Sequence, residues 1–290
     1  MIDWTRPETL LLTAIEEGAV WLLDELVVVR RAVRPGARTP CIAAESGRCE
    51  VVDWLRAHIA ADVWPRDLAV HAALGGSLDL VKQAAAGMPQ GHAVAALANA
   101  ASRGHRHIVE WLADHGAGSC PNHAFSAAVH GGHVHVLDYL RTRFGRDFER
   151  FRSSAAWYSV HLPALKWLRD AGAAVPAAAP IEALLREGDV AGVRWACEAL
   201  GVRITQGMFA TACARNHAAL ARWMLTRPRI TVDSNAVRAA VKAHAVDALG
   251  VIVRHDRRVL AAVAEAAAKD GDADLAEWLR IRLSATHTNK

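Results

Sequence analysis

The sequence contains fifteen histidines, and three of them fall close enough together to suggest a metal site. His130, His133 and His135 lie within six residues. Zinc binding needs three or four ligands that converge at about 2 Å and are held by further hydrogen bonds. The position of His133, directly after a turn residue, is also occupied by His105, His161 and His217. We therefore interpret His133 as a turn residue, and we predict neither a metal site nor a cofactor.

The cysteines and acidic residues do not indicate catalytic chemistry. The five cysteines include no Cys-x-x-Cys pair, which argues against a zinc ribbon and a disulfide framework and fits a reducing compartment such as the cytoplasm. The sequence shows no convincing nucleophile–base pair and no glycine-rich phosphate loop. We therefore predict that the protein is not an enzyme.

Tryptophan recurs in one sequence context. The chain has ten Trp but only two Tyr, and Leu follows the Trp in pairs such as Trp54-Leu55 and Trp111-Leu112. A series of exposed rings could stack nucleic-acid bases. At a fixed place beside Leu in a helix, however, Trp is more typical of core packing between repeats, and we favour that interpretation.

The segment 141–152 is the most distinctive charged stretch, with five Arg and three Phe. The sequence permits two interpretations of it. The segment is a solvated loop whose phenylalanines pack on the flanking helices, or it is an exposed hot spot that binds a partner protein. Under the second interpretation the candidate contact residues are Arg143, Phe144, Arg146 and Phe148.

A repeat runs through the whole chain and determines where these residues lie. The segment 100–112 contains two Ala, then Gly104, two apolar residues and the pair Trp111-Leu112. This frame, with the Trp position seven residues after the Gly position, recurs every 27 to 29 residues. It predicts about ten repeats, whose Trp positions are Glu25, Trp54, Gln83, Trp111, Tyr139, Trp167, Trp195, Trp223, Val251 and Trp278.

Each repeat has the sequence pattern of two helices. Four residues before the Gly position, nine of ten repeats have Ala, which favours helix formation and close helix packing. The Gly position suits a left-handed backbone at a helix end, and Asn216 takes it in one repeat. After it, pairs such as Val51-Val52 begin an amphipathic stripe. We therefore predict an all-α chain in which each repeat is helix A, a turn, helix B and a short loop.

The run Thr39-Pro40-Cys41-Ile42-Ala43-Ala44, with Gly47, Val51-Val52 and Trp54-Leu55 after it, resembles the ankyrin motif TPLHxAAxxGHxxVVxxLL. The resemblance implies an ankyrin-like α-solenoid of about ten helix-turn-helix repeats that acts as a non-catalytic protein-binding scaffold. Two departures stand out. The period is roughly five residues shorter than the usual ankyrin repeat of about 33, and the His of the TPLH motif is absent from nearly every repeat. The missing residues fall between helix B and the next helix A, where we expect short loops.

Ankyrin-like arrays generally meet their partners at the loop tips and the helix A face. By position alone, the resemblance therefore implies contacts at Arg203, Gln206 and Arg229. Trp157 follows the packing residue Ala156 in an irregular sixth repeat and is a further candidate. Shortened, Trp-rich repeats also resemble the arrays of giant DNA viruses of amoebae, which implies a host protein as partner and the host cytoplasm as location.

The array predicts one repeat domain over residues 1–290, with capping repeats at 1–33 and 256–283 and a polar tail at 284–290. We expect a monomer without membrane association, since no apolar run approaches the roughly 20 residues that span a bilayer. The alternative is a nucleic-acid-associated or virion structural protein that uses its arginines. The net charge is only +4 and the arginines are scattered, so nucleic acid is the less favoured partner.

Overall fold

The computed structural model describes residues 6–60, 64–86, 88–115, 121–153, 161–173, 175, 178–259, 261 and 263–265. Within these ranges every regular element is a helix, which confirms the predicted all-α class. The helices group into two compact units, Met1–Ala174 and Val175–Lys290. The single repeat domain over 1–290 stays a prediction.

The first compact unit is built from helix pairs. Its described helices are α1 (Pro7–Glu17), α2 (Val20–Leu23, continued by a π-helical stretch, Asp24–Val29), α3 (Thr39–Glu45), α4 (Cys49–His58), α5 (Leu68–Gly75), α6 (Leu78–Ala84), α7 (Gln90–Arg103), α8 (Arg106–Asp114), α9 (Asn122–Gly131), α10 (Val134–Arg143), α11 (Gly145–Ser153) and α12 (Leu162–Asp170). Helices α3, α5, α7 and α9 contact one another in that order, and α6, α8, α10 and α12 do the same. The A helices and the B helices therefore form two layers.

The second compact unit follows the same plan. Its described helices are α13 (Ala178–Glu187), α14 (Val190–Ala199), α15 (Gln206–Ala214), α16 (Ala218–Met224), α17 (Ser234–Lys242) and α18 (Val246–His255), with a 3-10 turn at Arg257–Val259. Helices α13, α15 and α17 pack side by side, as do α14, α16 and α18.

The turn between the two helices of a repeat has the predicted left-handed backbone. The dihedral angle φ is positive at Gly18, Gly47, Gly76, Gly104, Gly132, Gly188, Asn216 and His244. The N–H of the following residue then donates to the carbonyl of the residue five positions earlier, as from His105 to Ala100 at 2.9 Å. This bond is the signature of a Schellman helix end. The frame deduced from the sequence is therefore confirmed at these positions, and Val160 and Gly271 lie outside the described residues.

The packing position four residues before the turn is completely buried. The exposed fraction is 0% at Ala14, Ala43, Ala72, Ala100, Ala128, Leu184, Ala212 and Ala240. A methyl side chain lets neighbouring helix backbones approach closely, which explains why Ala is preferred there. The described parts of the loops between helix B and the next helix A contain no strand. Among the described residues, no helix is long and apolar enough to cross a membrane.

Candidate functional site

The histidines that follow the turns join neighbouring repeats. Each donates from its Nε2 to a backbone carbonyl of the preceding repeat: His105 to Leu74 at 3.1 Å, His133 to Ser102 at 2.9 Å and His217 to Arg186 at 2.9 Å. The rings also cover the preceding turn, since a Cβ added at Gly104 would lie 2.6 Å from Nδ1 of His133. These histidines are therefore structural links as well as turn residues.

Hydrogen bonds to the backbone also help to decide whether His130, His133 and His135 could form a metal site. The Nε2 of His135 lies 2.9 Å from the carbonyl oxygen of Gly104, and the Nε2 of His133 is bonded to the backbone of Ser102. His130 is exposed at the end of α9. Two of the three Nε2 atoms thus donate to backbone carbonyls, which supports the interpretation of His133 as a turn residue.

The Trp position packs at the edge of the helix B layer. Trp54, Trp195 and Trp223 are only 8–9% exposed, which agrees with the predicted packing role, while Trp111 and Trp167 are half-buried. The indole of Trp54 donates to Asp24 Oδ1 at 2.6 Å. In the same way, Trp167 donates to Asp138 Oδ1 at 2.6 Å. Because each acceptor lies one repeat earlier, the tryptophans also connect successive repeats.

Several arginines cover the aromatic ring of the next repeat. The guanidinium carbon lies 5.8 Å from the ring centre for Arg106 over Tyr139, 6.0 Å for Arg141 over Trp167 and 5.9 Å for Arg194 over Trp223. Such cation–π contacts contribute about 0.5–1 kcal/mol at exposed sites. Part of the arginine surplus therefore stabilises the stack of B helices.

The structure corrects the predicted loop in the segment 141–152 and decides between the two interpretations of its phenylalanines. Residues Gly145–Ser153 form helix α11 instead of a loop. In addition, Phe144, Phe148 and Phe151 are only 9%, 2% and 6% exposed, and Phe148 contacts the rings of Phe125 and Trp167, both with centroids 5.5 Å away. Phe144 and Phe148 are core residues and are not exposed contact residues, so the packing alternative is confirmed for them.

The arginines of this region remain at the surface. Arg141, Arg143, Arg146 and Arg150, which we call the arginine cluster, are all exposed. Arg143 lies over the ring of Phe144 at 5.5 Å and 3.5 Å from a carboxylate oxygen of Asp114. An exposed ion pair of this kind is weak, so the guanidinium stays available to a partner. The arginine cluster is the strongest candidate for a partner-binding surface.

The candidates assigned by position fall into different environments. Arg203 and Arg229 are exposed on loops that follow helix B, as expected for contact residues. Gln206 is not free, because its amide donates to the Thr231 carbonyl at 2.5 Å and accepts from the Thr231 N–H at 3.4 Å. It joins the start of α15 to the loop before α17. Trp157 lies outside the described residues.

A second group of side chains was missed in the sequence. The thiol of Cys41, a carboxylate oxygen of Asp67 and a ring nitrogen of His71 lie within 4.8 Å of one another. Nδ1 of His71 is also 2.6 Å from Oε1 of Glu45, and its Nε2 is 3.5 Å from Oδ2 of Asp67. The sequence signal is faint, since it consists of two pairs spaced four residues apart, Cys41/Glu45 and Asp67/His71, on the A helices of adjacent repeats.

The thiol of this group is not activated as a nucleophile. Burial, together with the smaller effects of the Asp67 and Glu45 charges, raises the pKa of Cys41 to about 11, although the charge of Arg38 opposes the shift. A cysteine nucleophile needs the opposite shift, toward the thiolate at neutral pH. The arrangement of Cys, His and Asp therefore does not indicate thiol catalysis.

Comparison with known proteins adds no assignment, because neither a family model nor a curated protein matches this chain.

Proposed function

We propose that the chain is an ankyrin-like repeat scaffold that binds a partner protein and has no catalytic activity. The observation that carries the proposal is the repeated bond from a turn histidine to a carbonyl of the preceding repeat. It supports an architecture in which equivalent helix pairs are joined to their neighbours. Stacks of this kind provide extended surfaces for binding.

The arginine cluster is the proposed contact surface, and the chemistry of its arginines favours an acidic segment of the partner. Arg guanidinium groups bind carboxylates in a bidentate manner and are common among the residues that dominate protein interfaces. Arg141 is held over the rings of Phe148 and Trp167. Arginines on such a rigid base lose less side-chain entropy when a partner binds.

The nucleic-acid alternative, which would use arginines along much of the chain, is less favoured, because several arginines outside the arginine cluster already lie next to carboxylates. Examples are Arg106 with Glu110 at 2.7 Å and Arg30 with Glu25 at 2.7 Å. Phosphate binding would have to compete with these neighbours, and the net charge of the chain is only +4.

The test is affinity capture from the lysate of the organism's own cells, or of its host, with the unchanged chain and with Arg143→Ala/Arg146→Ala. Arg238→Ala, an exposed arginine of α17, is the matched control. We expect the unchanged chain and the control to recover the same protein and the double variant to lose it. Equal recovery by the double variant would remove the arginine cluster from the proposal. Recovery of RNA or DNA, with an affinity that falls steeply with salt, would favour the alternative.

A further inference from the structure

The group formed by Cys41, Asp67 and His71 has the composition of a metal site. Thiolate, imidazole and carboxylate are the three ligand types that zinc takes from proteins. In a tetrahedral site the ligand atoms lie roughly 3.5 Å apart, whereas here they lie within 4.8 Å. Small side-chain rotations, of about 1 Å at the ligand atoms, would bring the three onto one ion.

Glu45 lies where it can form a hydrogen bond with the proposed metal ligand His71 without touching the metal itself. Its Oε1 lies 2.6 Å from Nδ1 of His71, so Nδ1 carries the proton that it donates to the carboxylate. Metal-binding histidines typically donate their second ring nitrogen in this way. The lone pair of Nε2 is then directed to the side of Asp67, whose Oδ2 is 3.5 Å away.

Burial and charge also suit a cation. Cys41 is only 9% exposed, and the partly exposed side chains of Asp67 and His71 leave a path to solvent. Two carboxylates, Asp67 and Glu45, surround the thiol against one nearby cation, Arg38. The local charge is therefore negative before any thiolate forms.

We propose that Cys41, Asp67 and His71 bind a zinc ion, that Glu45 orients His71, and that water or a partner's side chain takes the fourth position. On binding, the Cys41 thiol releases its proton to solvent and the Sγ–metal bond replaces the S–H bond. The imidazole binds in its neutral form through Nε2, so one proton is released for each ion. The ligands come from α3 and from the start of α5, so the ion stabilises the contact between two adjacent repeats. This site is independent of the proposed partner surface.

The proposal is tested by titrating the full, chelator-treated chain with Co²⁺ under reducing conditions. We expect one equivalent to bind, with the visible bands of tetrahedral cobalt and a thiolate-to-cobalt charge-transfer band in the near ultraviolet, and Zn²⁺ to displace it. Cys41→Ser removes the charge-transfer band. His71→Gln and Asp67→Asn weaken binding at least tenfold, and Glu45→Gln weakens it about tenfold.

Two controls keep the result specific. Cys49→Ser changes a half-buried thiol of α4 that lies 3.1 Å from Ser77 Oγ, and we expect it to leave the spectrum unchanged. Arg143→Ala/Arg146→Ala is likewise expected to bind cobalt normally, so that the two proposals fail separately. Circular dichroism establishes that each variant is folded.

Thermal unfolding provides a second measurement, because zinc raises the Tm of a folded state that binds it. We expect zinc to raise the Tm of the unchanged chain and not that of His71→Gln. If Cys41→Ser does not fold, His71→Gln takes its place as the test of the site. The absence of a charge-transfer band in the unchanged chain would overturn the proposal. A band of equal strength in folded Cys41→Ser would do the same.

Discussion

Nε2 of His133 lies 2.9 Å from the backbone carbonyl oxygen of Ser102, which is 31 residues earlier in the chain. The same ring fills the space above the turn at Gly104. One side chain thus satisfies a carbonyl near a helix end and excludes any larger residue from the neighbouring turn. The Gly-His pair of one repeat is therefore linked physically to the Gly-His pair of the next.

Replacing His133 by Ala is expected to lower the free energy of unfolding by about 1–2 kcal/mol, because the Ser102 carbonyl loses its donor. Chemical denaturation followed by circular dichroism measures the change. His130→Ala alters an exposed histidine of the same segment and should stay within about 0.5 kcal/mol of the unchanged chain. Similar losses for the two variants would show that the bond is unimportant.

Two glycines of α7 and its turn should respond to Ala with opposite signs. Gly104 has φ +78° and faces the His133 ring, so Gly104→Ala should destabilise the protein by about 1–2 kcal/mol. Gly91 lies in the first turn of α7, and nothing lies within 4 Å of an added Cβ. Gly91→Ala should therefore stabilise by up to about 1 kcal/mol. Equilibrium denaturation of both variants provides the comparison, and a stabilising Gly104→Ala would contradict the turn geometry.

Phe148→Ala and Arg146→Ala should differ strongly in their effect on the stability of the fold. Phe148 is 2% exposed, so Phe148→Ala should cost about 3–5 kcal/mol through the cavity that it leaves. Arg146 is exposed, and Arg146→Ala should change stability by less than about 0.5 kcal/mol. Thermal unfolding distinguishes the two. An unchanged Tm in Phe148→Ala would mean that the ring is not part of the core.

Stability should fall on acidification in a way that depends on His105. Burial lowers the pKa of His105 below its usual 6.5, although the bond to the Leu74 carbonyl opposes the shift. The folded state then takes up a proton less readily than the unfolded state. The contribution of His105 to the free energy of unfolding is complete above pH 6.5, and it is lost as the pH falls through the lower pKa of the folded state.

Between about pH 7.5 and about pH 5.5, the free energy of unfolding should therefore fall less in His105→Gln than in the unchanged chain. His130→Gln, at an exposed histidine, is expected to retain the full loss. An identical pH profile for all three chains would exclude His105 as its source.

The sequence predicts the parts of the fold that repeat. Turn positions such as Gly104, and buried packing residues such as Ala100, recur in the same frame, so each copy supports the others. Even Asn216 and His244, which replace Gly, have positive φ. The prediction of these positions succeeds because a left-handed turn and a close helix contact each restrict the residue type strongly.

The local exceptions were harder to predict. Phe144, Phe148 and Phe151 are spaced four and three residues apart, which is the period of one helix face, but the repeat frame placed the segment in the loop between the fifth and sixth repeats. The group around Cys41 was missed for a different reason. Its members belong to two helices, and only packing shows that Asp67 and His71 lie beside the thiol.

His105, His133 and His217 each lie 31 residues after the residue whose carbonyl they bond. Each of these bonds therefore closes a loop of the same length and at the same entropic cost. Within each compact unit, none of these bonds has to wait for a distant part of the chain. During synthesis on the ribosome, a repeat can dock onto its predecessor once its own turn has emerged, so the order of translation is also a sufficient order of assembly.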